Sequence, residues 1–123
     1  MKTLVFVAIT AMSFSTFAAP NCAEETSYPE ITKTDLQTQI KNKSAYVIDV
    51  NGTKSFTKRH IDTAVNYENI KSDFAKSLPK DKTALVVAYC GGPSCVAWKQ
   101  AAEEACHLGY TNVKHFKDGI KGW

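Results

Sequence analysis

Apolar positions recur along this chain at two spacings, and the spacing predicts the elements. Ala45 to Val50 (Ala-Tyr-Val-Ile-Asp-Val) is a short, compact apolar run rich in β-branched residues, which predicts a buried strand. Thr83 to Tyr89 (Thr-Ala-Leu-Val-Val-Ala-Tyr) predicts the strongest strand. Shorter runs at Ala64 to Tyr67 and Val113 to Phe116 predict two more, and Ile31 a fifth, very short one. Helical spacing takes over between them. Leu36 and Ile40 share a face behind a box-like start at Thr32 and Asp35, and Asn42 to Ser44 closes that helix. Ser55 to Arg59 reads as one helical turn after the Asn51-Gly52 turn signal. Ile70, Phe74 and Leu78 are helically spaced and stopped by Pro79. Trp98 to Leu108 reads as a helix ended by Gly109, with Ala101, Ala105 and Leu108 on its apolar face. Strand and helix in alternation predict an α/β fold with a mostly parallel sheet and helices on both faces.

The first residues follow a different pattern. Lys2 is the lone charge before Glu24, and the apolar run Leu4 to Met12 leads into the small and aromatic residues Ser13 to Ala19. This is the layout of a secretory signal peptide, and its apolar core is too short to span a bilayer. Cleavage after Ala18 sets Thr16 and Ala18 at the two small-residue positions. The expected organisation is therefore 1–18 signal peptide, 19–29 extended lead-in and 30–123 folded domain. The product is expected in an exported, oxidising compartment, with a bacterial periplasm fitting the short leader, and without stable membrane insertion after cleavage.

Composition narrows the function classes. The 123 residues are 44% hydrophobic and 22% charged, which is globular rather than disordered. A net charge of +3 is too weak to imply a nucleic-acid partner. Lys41, Lys43, Lys54, Lys58 and Lys71 read as a solvated face. The four cysteines, Cys22, Cys90, Cys95 and Cys106, all lie beyond the proposed cut.

Cys90 carries the strongest chemical signal. It ends the best predicted strand and opens the Gly91-Gly92-Pro93-Ser94-Cys95 segment before a helix. In parallel α/β folds ligands bind beyond the carboxyl ends of the strands. Backbone N–H groups of a glycine-rich turn and a helix N-terminus favour an anion there, which for cysteine is its own thiolate. The bland alternative is a small buried residue at a strand end. Cys95 is close enough in sequence to act as a resolving thiol, closing a disulfide with Cys90, or to pack quietly at the helix start. Cys106 sits one step off the apolar face of its helix and is expected to be exposed. A Cys22–Cys106 staple is one of three pairings of four cysteines, and closing so long a loop would contribute about 3–4 kcal/mol. Zinc fits poorly, because Cys106 and His107 are adjacent and there is no second Cys-x2-Cys knuckle. No metal and no cofactor are expected. His60 reads as a structural hydrogen-bonding residue, and none of His60, His107 and His115 suggests a triad. Tyr89 and Phe116 read as core, and Trp98 as core that also lines the pocket.

Several ordered motifs resemble the rhodanese family. Val47-Ile48-Asp49-Val50, Phe56 and His60-Ile61-Asp62-Thr63-Ala64-Val65-Asn66 look like its "(I/V)-D-V-R … F … G-H-I-P-G-A-(I/V)-N" segment. Val86 to Cys90 looks like its strand leading to the active-site cysteine. Leu108-Gly109-Tyr110, Asn112-Val113 and Asp118-Gly119-Ile120-Lys121-Gly122-Trp123 resemble its "L-G-(F/Y)-x-N-V … G-G-(I/L)-x-x-W" tail. The resemblance runs from about Ile31 onward. It implies a parallel five-stranded sheet with helices on both faces, and sulfurtransferase chemistry in which Cys90 takes sulfane sulfur from a donor such as thiosulfate. The persulfide then passes to cyanide or a thiol, a protein thiol included, in two half-reactions without a cofactor. A monomer is expected.

Four departures stand out. Asn51 occupies the usual Arg position, Arg59 precedes His60 where Gly is usual, and Asp62-Thr63 replaces Pro-Gly; these are expected to alter local backbone geometry. The loop has no basic side chain, so anion binding is expected to rest on the N–H groups of Gly91, Gly92, Ser94 and Cys95, with Ser94 Oγ. Cys-Gly-Gly-Pro-Ser-Cys resembles a rhodanese subgroup with a second loop cysteine. Cysteine phosphatases of related fold need an Arg at the loop's end, which is missing here. Two other readings stay open: a thiol–disulfide redox protein using Cys90 and Cys95, and a rhodanese-fold binding module without turnover.

Overall fold

The computed structural model describes Cys22 and residues 28–123. The signal-peptide reading and most of the lead-in lie outside the described residues. Four strands, β1 (Ala45–Asp49), β2 (Val65–Asn66), β3 (Leu85–Tyr89) and β4 (Val113–His115), form one sheet in the order β2-β1-β3-β4. Every pairing is parallel, with Tyr46 opposite Val86 and Val86 opposite Val113. The helices are α1 (Lys33–Lys41), α2 (Thr53–Lys58), α3 (Tyr67–Ile70), α4 (Phe74–Ser77) and α5 (Trp98–His107).

The sheet is one strand short of the five expected. Glu30 makes a single parallel bridge to His115. Ile31 N–H donates to the His115 carbonyl (2.9 Å) and His115 N–H to that of Pro29 (3.0 Å). The pairing stops there because Thr32 already caps α1. Its Oγ1 accepts from Asp35 N–H at 3.1 Å, which satisfies one of the orphan donors at the helix start.

Both faces of the sheet are covered. Ile48, Val86 and Ala88 pack with Trp98, Ala101, Ala102 and Ala105 of α5 and with Phe74 and Leu78. Val47, Val87 and Tyr89 pack with Leu36 of α1, Ile61 and Phe116. All five residues of β3 are buried, as a central parallel strand requires. The alanines let α5 approach the sheet closely, and the helix ends as its sequence predicts. Gly109 at φ +95° lets its own N–H reach the Cys106 carbonyl (2.9 Å) and Tyr110 N–H that of Ala105 (3.1 Å).

Two further expectations are corrected. Tyr67 starts a helix instead of ending a strand, and its hydroxyl donates to Glu104 on α5 at 2.8 Å. The helix expected over Ile70 to Leu78 is broken by a 3₁₀ turn at Lys71–Asp73. Phe74 and Leu78 are buried but the polar Lys71-Ser72-Asp73 stretch is exposed, so packing anchors only the second half.

Cys106 is buried at 6% exposure, where an exposed side chain was expected. The cause is its disulfide to Cys22 (Cα–Cα 5.7 Å), which covers this part of α5. Tyr28 seals this layer, donating its hydroxyl to the Cys22 carbonyl and meeting Trp98 edge-on at 5.9 Å.

Candidate active site

The site lies beyond the carboxyl ends of β1 and β3. Cys90 follows β3 and is 2% exposed. It is disulfide-bonded to Cys95, so neither thiol titrates in this state. Between them the chain turns tightly, with Cys95 N–H donating to the Gly92 carbonyl at 3.0 Å. That N–H was expected in the anion cradle and is instead spent on the turn. Pro93 has no N–H to give. Among the described residues, the N–H groups of Gly91, Gly92 and Ser94 meet no acceptor within the protein. Three donors of the expected cradle are therefore unpaired within the protein, with Gly92 buried under the tail and Ser94 exposed. Helix α5 begins just after Cys95, its first turn held by Val96 and Ala97 carbonyls.

Residues from the far end of the domain hold this loop. Ile120 N–H donates to the Cys90 carbonyl and Lys121 N–H to that of Gly91, each at 3.0 Å. Gly119 lies against the loop backbone at φ +61°, and a Cβ on it would stand 2.6 Å from both the Cys90 oxygen and the Gly92 nitrogen. A glycine is required here on two independent counts, conformation and space. The same tail brings a lysine against the loop. Lys121 Cδ lies 3.3 Å from where a Gly92 Cβ would be, so a lysine stem runs along the loop.

A second support comes from β1. Tyr89 hydroxyl donates to the buried Asp49 Oδ2 and accepts from Ile61 N–H at 3.0 Å. Burial, then the bond to Asp49, pushes the Tyr89 hydroxyl far above its ordinary pKa, so it stays a donor. Asp49 Oδ1 accepts from Asn51 N–H at 2.7 Å, and Asn66 Nδ2 donates to the Asn51 carbonyl at 2.9 Å. Asn51 is thus fixed with its side chain toward Gly91, its Oδ1 3.8 Å from the Cβ position there. Its Nδ2 is buried without a hydrogen-bond partner among the described residues. The substitution of the family's Arg by Asn51 therefore touches the loop as well as the local backbone.

The pairing Tyr89–Asp49 and the tail clamp at Gly119 and Lys121 were missed from sequence. Their signals were a lone Asp inside an apolar strand and two glycines flanking Ile120-Lys121. His60 is structural, donating from Nδ1 to the Phe56 carbonyl at 2.8 Å and stacking on Phe56. His107 is exposed at the end of α5. His115 is buried with its ring stacked on Trp98 (3.6 Å between centroids). Ser94 is exposed on the loop. No group of three or more His, Cys, Asp or Glu among the described residues is arranged to hold a metal ion. Among those residues no helix is long and apolar enough to cross a membrane.

A parallel sheet that presents a cysteine from a glycine-rich loop past a strand's carboxyl end defines an α/β domain with a cysteine loop at the ligand-binding end of its sheet. Residues 32–123 match the rhodanese-like domain, and the chain belongs to that family. It is 26% identical over 98 residues to thiosulfate sulfurtransferase GlpE from Shewanella oneidensis, covering 79% of this chain and 93% of that protein. Among solved structures it resembles the BH2092 protein from Bacillus halodurans, with TM-score 0.66, 32% identity, and 80% of this chain and 72% of that chain covered. The human single-domain sulfurtransferase TSTD1 shares the fold, with TM-score 0.62 at 19% identity over 77% of this chain and 94% of that one.

Proposed function

We propose that this protein is a sulfurtransferase that carries sulfane sulfur as a persulfide on Cys90, in an exported, oxidising compartment such as a bacterial periplasm. The observation that carries the reading is Cys90 past β3, in a loop with unpaired N–H donors and a backbone clamped by the tail. In the reduced protein the Cys90 thiolate attacks the outer sulfur of thiosulfate. The donor's S–S bond breaks and sulfite leaves with the electron pair. Cyanide or a thiolate then attacks the terminal sulfur of the persulfide and regenerates the Cys90 thiolate. The N–H groups of Gly91, Gly92 and Ser94, with the Lys121 ammonium, supply the positive potential that the loop's own side chains lack. Cys95 serves as resolving thiol. It attacks Cys90 Sγ of the persulfide, hydrosulfide leaves, and the Cys90–Cys95 disulfide forms. Two disulfides in so small a domain support the oxidising location.

The test is a thiosulfate:cyanide assay on reduced protein, with mass spectrometry of the intact chain. The expected result is about +32 Da on Cys90 and turnover abolished in Cys90→Ser, the mass being that of one sulfur atom. No adduct after donor treatment of Cys95→Ser, in which the persulfide has no resolving thiol, rejects the reading. The closed loop disulfide favours a second one, a thiol–disulfide redox protein. It predicts disulfide exchange lost equally in Cys90→Ser and Cys95→Ser, with no sulfur transfer.

A further inference from the structure

The two sulfurs of the loop disulfide stand in different surroundings. Cys90 is buried at 2% exposure beneath the tail, while Cys95 is half-buried. Cys95 opens onto a cleft of about 130 Å³ that Cys90 does not line. Trp98, stacked on His115, and Tyr28, edge-on to Trp98, stiffen the walls. At the mouth, Lys117 Nζ and a Glu30 carboxylate oxygen lie 3.3 Å apart, both side chains more than half exposed.

We propose that this cleft is the binding site for a small zwitterionic cysteinyl thiol, which reopens the loop disulfide by attacking Cys95 and not Cys90. The volume suits one cysteine-sized group. Lys117 and Glu30 offer one charge of each sign at the rim, matching the carboxylate and ammonium of an amino-acid thiol. Exposure decides which sulfur is attacked, since an external thiolate reaches Cys95. The leaving group agrees. The Cys90 thiolate departs among the free N–H groups of its loop, and a stabilised thiolate leaves faster. The chemistry balances. The thiolate bonds to Cys95 Sγ, the Cys90–Cys95 bond breaks, and Cys90 keeps the electron pair. A second thiol then attacks the external sulfur of the mixed disulfide. It releases the small-molecule disulfide and leaves Cys95 reduced, so two thiols are oxidised for one protein disulfide reduced.

The inference rests on the loop disulfide of the proposed cycle, but its test needs no sulfur donor, so the two fail separately. Oxidised protein is mixed with cysteine, quenched by rapid alkylation and mapped by peptide mass spectrometry. The expected product carries cysteine on Cys95 and the alkyl group on Cys90. An adduct on Cys90, or one shared equally, overturns the proposal. Opening rates are compared for cysteine and 2-mercaptoethanol, each corrected for thiolate fraction. Two rim-exposed charge contacts predict a three- to tenfold advantage for cysteine (about 0.6–1.4 kcal/mol in total), reduced in the double variant Glu30→Gln, Lys117→Met. Equal rates with both thiols overturn it, as does opening by a protein dithiol at rates that small thiols never reach.

Discussion

Replacing Gly119 by alanine tests whether the tail builds the reactive loop. Gly119 sits at φ +61°, ψ −164°, a region essentially closed to residues with a Cβ. Strain alone costs about 1–3 kcal/mol. The added carbon would also stand 2.6 Å from Cys90 O, 2.6 Å from Gly92 N and 2.7 Å from Gly91 C. All three are backbone atoms, so the loop or the tail must move. Either movement weakens the Ile120–Cys90 and Lys121–Gly91 hydrogen bonds, each worth about 1 kcal/mol. The expected loss is about 3–5 kcal/mol, read by urea unfolding. Gly109→Ala is the control. It has φ +95° but nothing within 4 Å of its Cβ position, so it bears conformational strain alone, about 1 kcal/mol. Persulfide loading of Cys90 is expected to fall in Gly119→Ala and to hold in Gly109→Ala. Equal unfolding free energies for the two variants, or wild-type loading in Gly119→Ala, would refute the buttress.

Three other outcomes are expected. The Cys22–Cys106 bridge closes a loop with a separation of 84 residues. Replacing both cysteines by serine should cost about 4 kcal/mol and lower Tm by more than about 15 °C; a fall under about 5 °C would contradict this. Burial and the bond to Glu104 push the Tyr67 hydroxyl up to about 12, from an ordinary 10. Its stabilising contribution is therefore full below about pH 10 and is lost as pH rises through about 12. Over that window wild type should lose on the order of 1 kcal/mol more than Tyr67→Phe in denaturant titrations, after allowance for solvent screening, whereas parallel curves reject the assignment. Lys121→Met should raise KM for thiosulfate about three- to tenfold while leaving KM for an uncharged persulfide donor nearly constant. A uniform change across both donors would show that the ammonium plays no part in anion binding.

The elements legible in the sequence were those whose apolar spacing is strict. β3 and α5 emerge at nearly their true bounds because every second or fourth position packs on the sheet. The α1 start was legible through Thr32 and Asp35, whose side chains complete the cap by themselves. The segment 67–78 was not, because Tyr67 is drawn into a helix by a partner far along the chain and the polar Lys71-Ser72-Asp73 stretch is exposed. At the site, Cys90 was legible from its place at a strand end. The roles of Gly119 and Lys121 were not, because only the fold sets them on the loop. Asn51 shows the same limit. Sequence marks it as a departure from the family, and its contact with Gly91 exists only once two strand ends lie side by side.

The tail clamp has a consequence for when the protein acquires its chemistry. The loop around Cys90 is completed by amides that follow it by some thirty residues, at Ile120 and Lys121. A chain still being synthesised, lacking those residues, carries Cys90 in a loop without these bonds. The reactivity proposed for Cys90 is therefore withheld until the last turn docks.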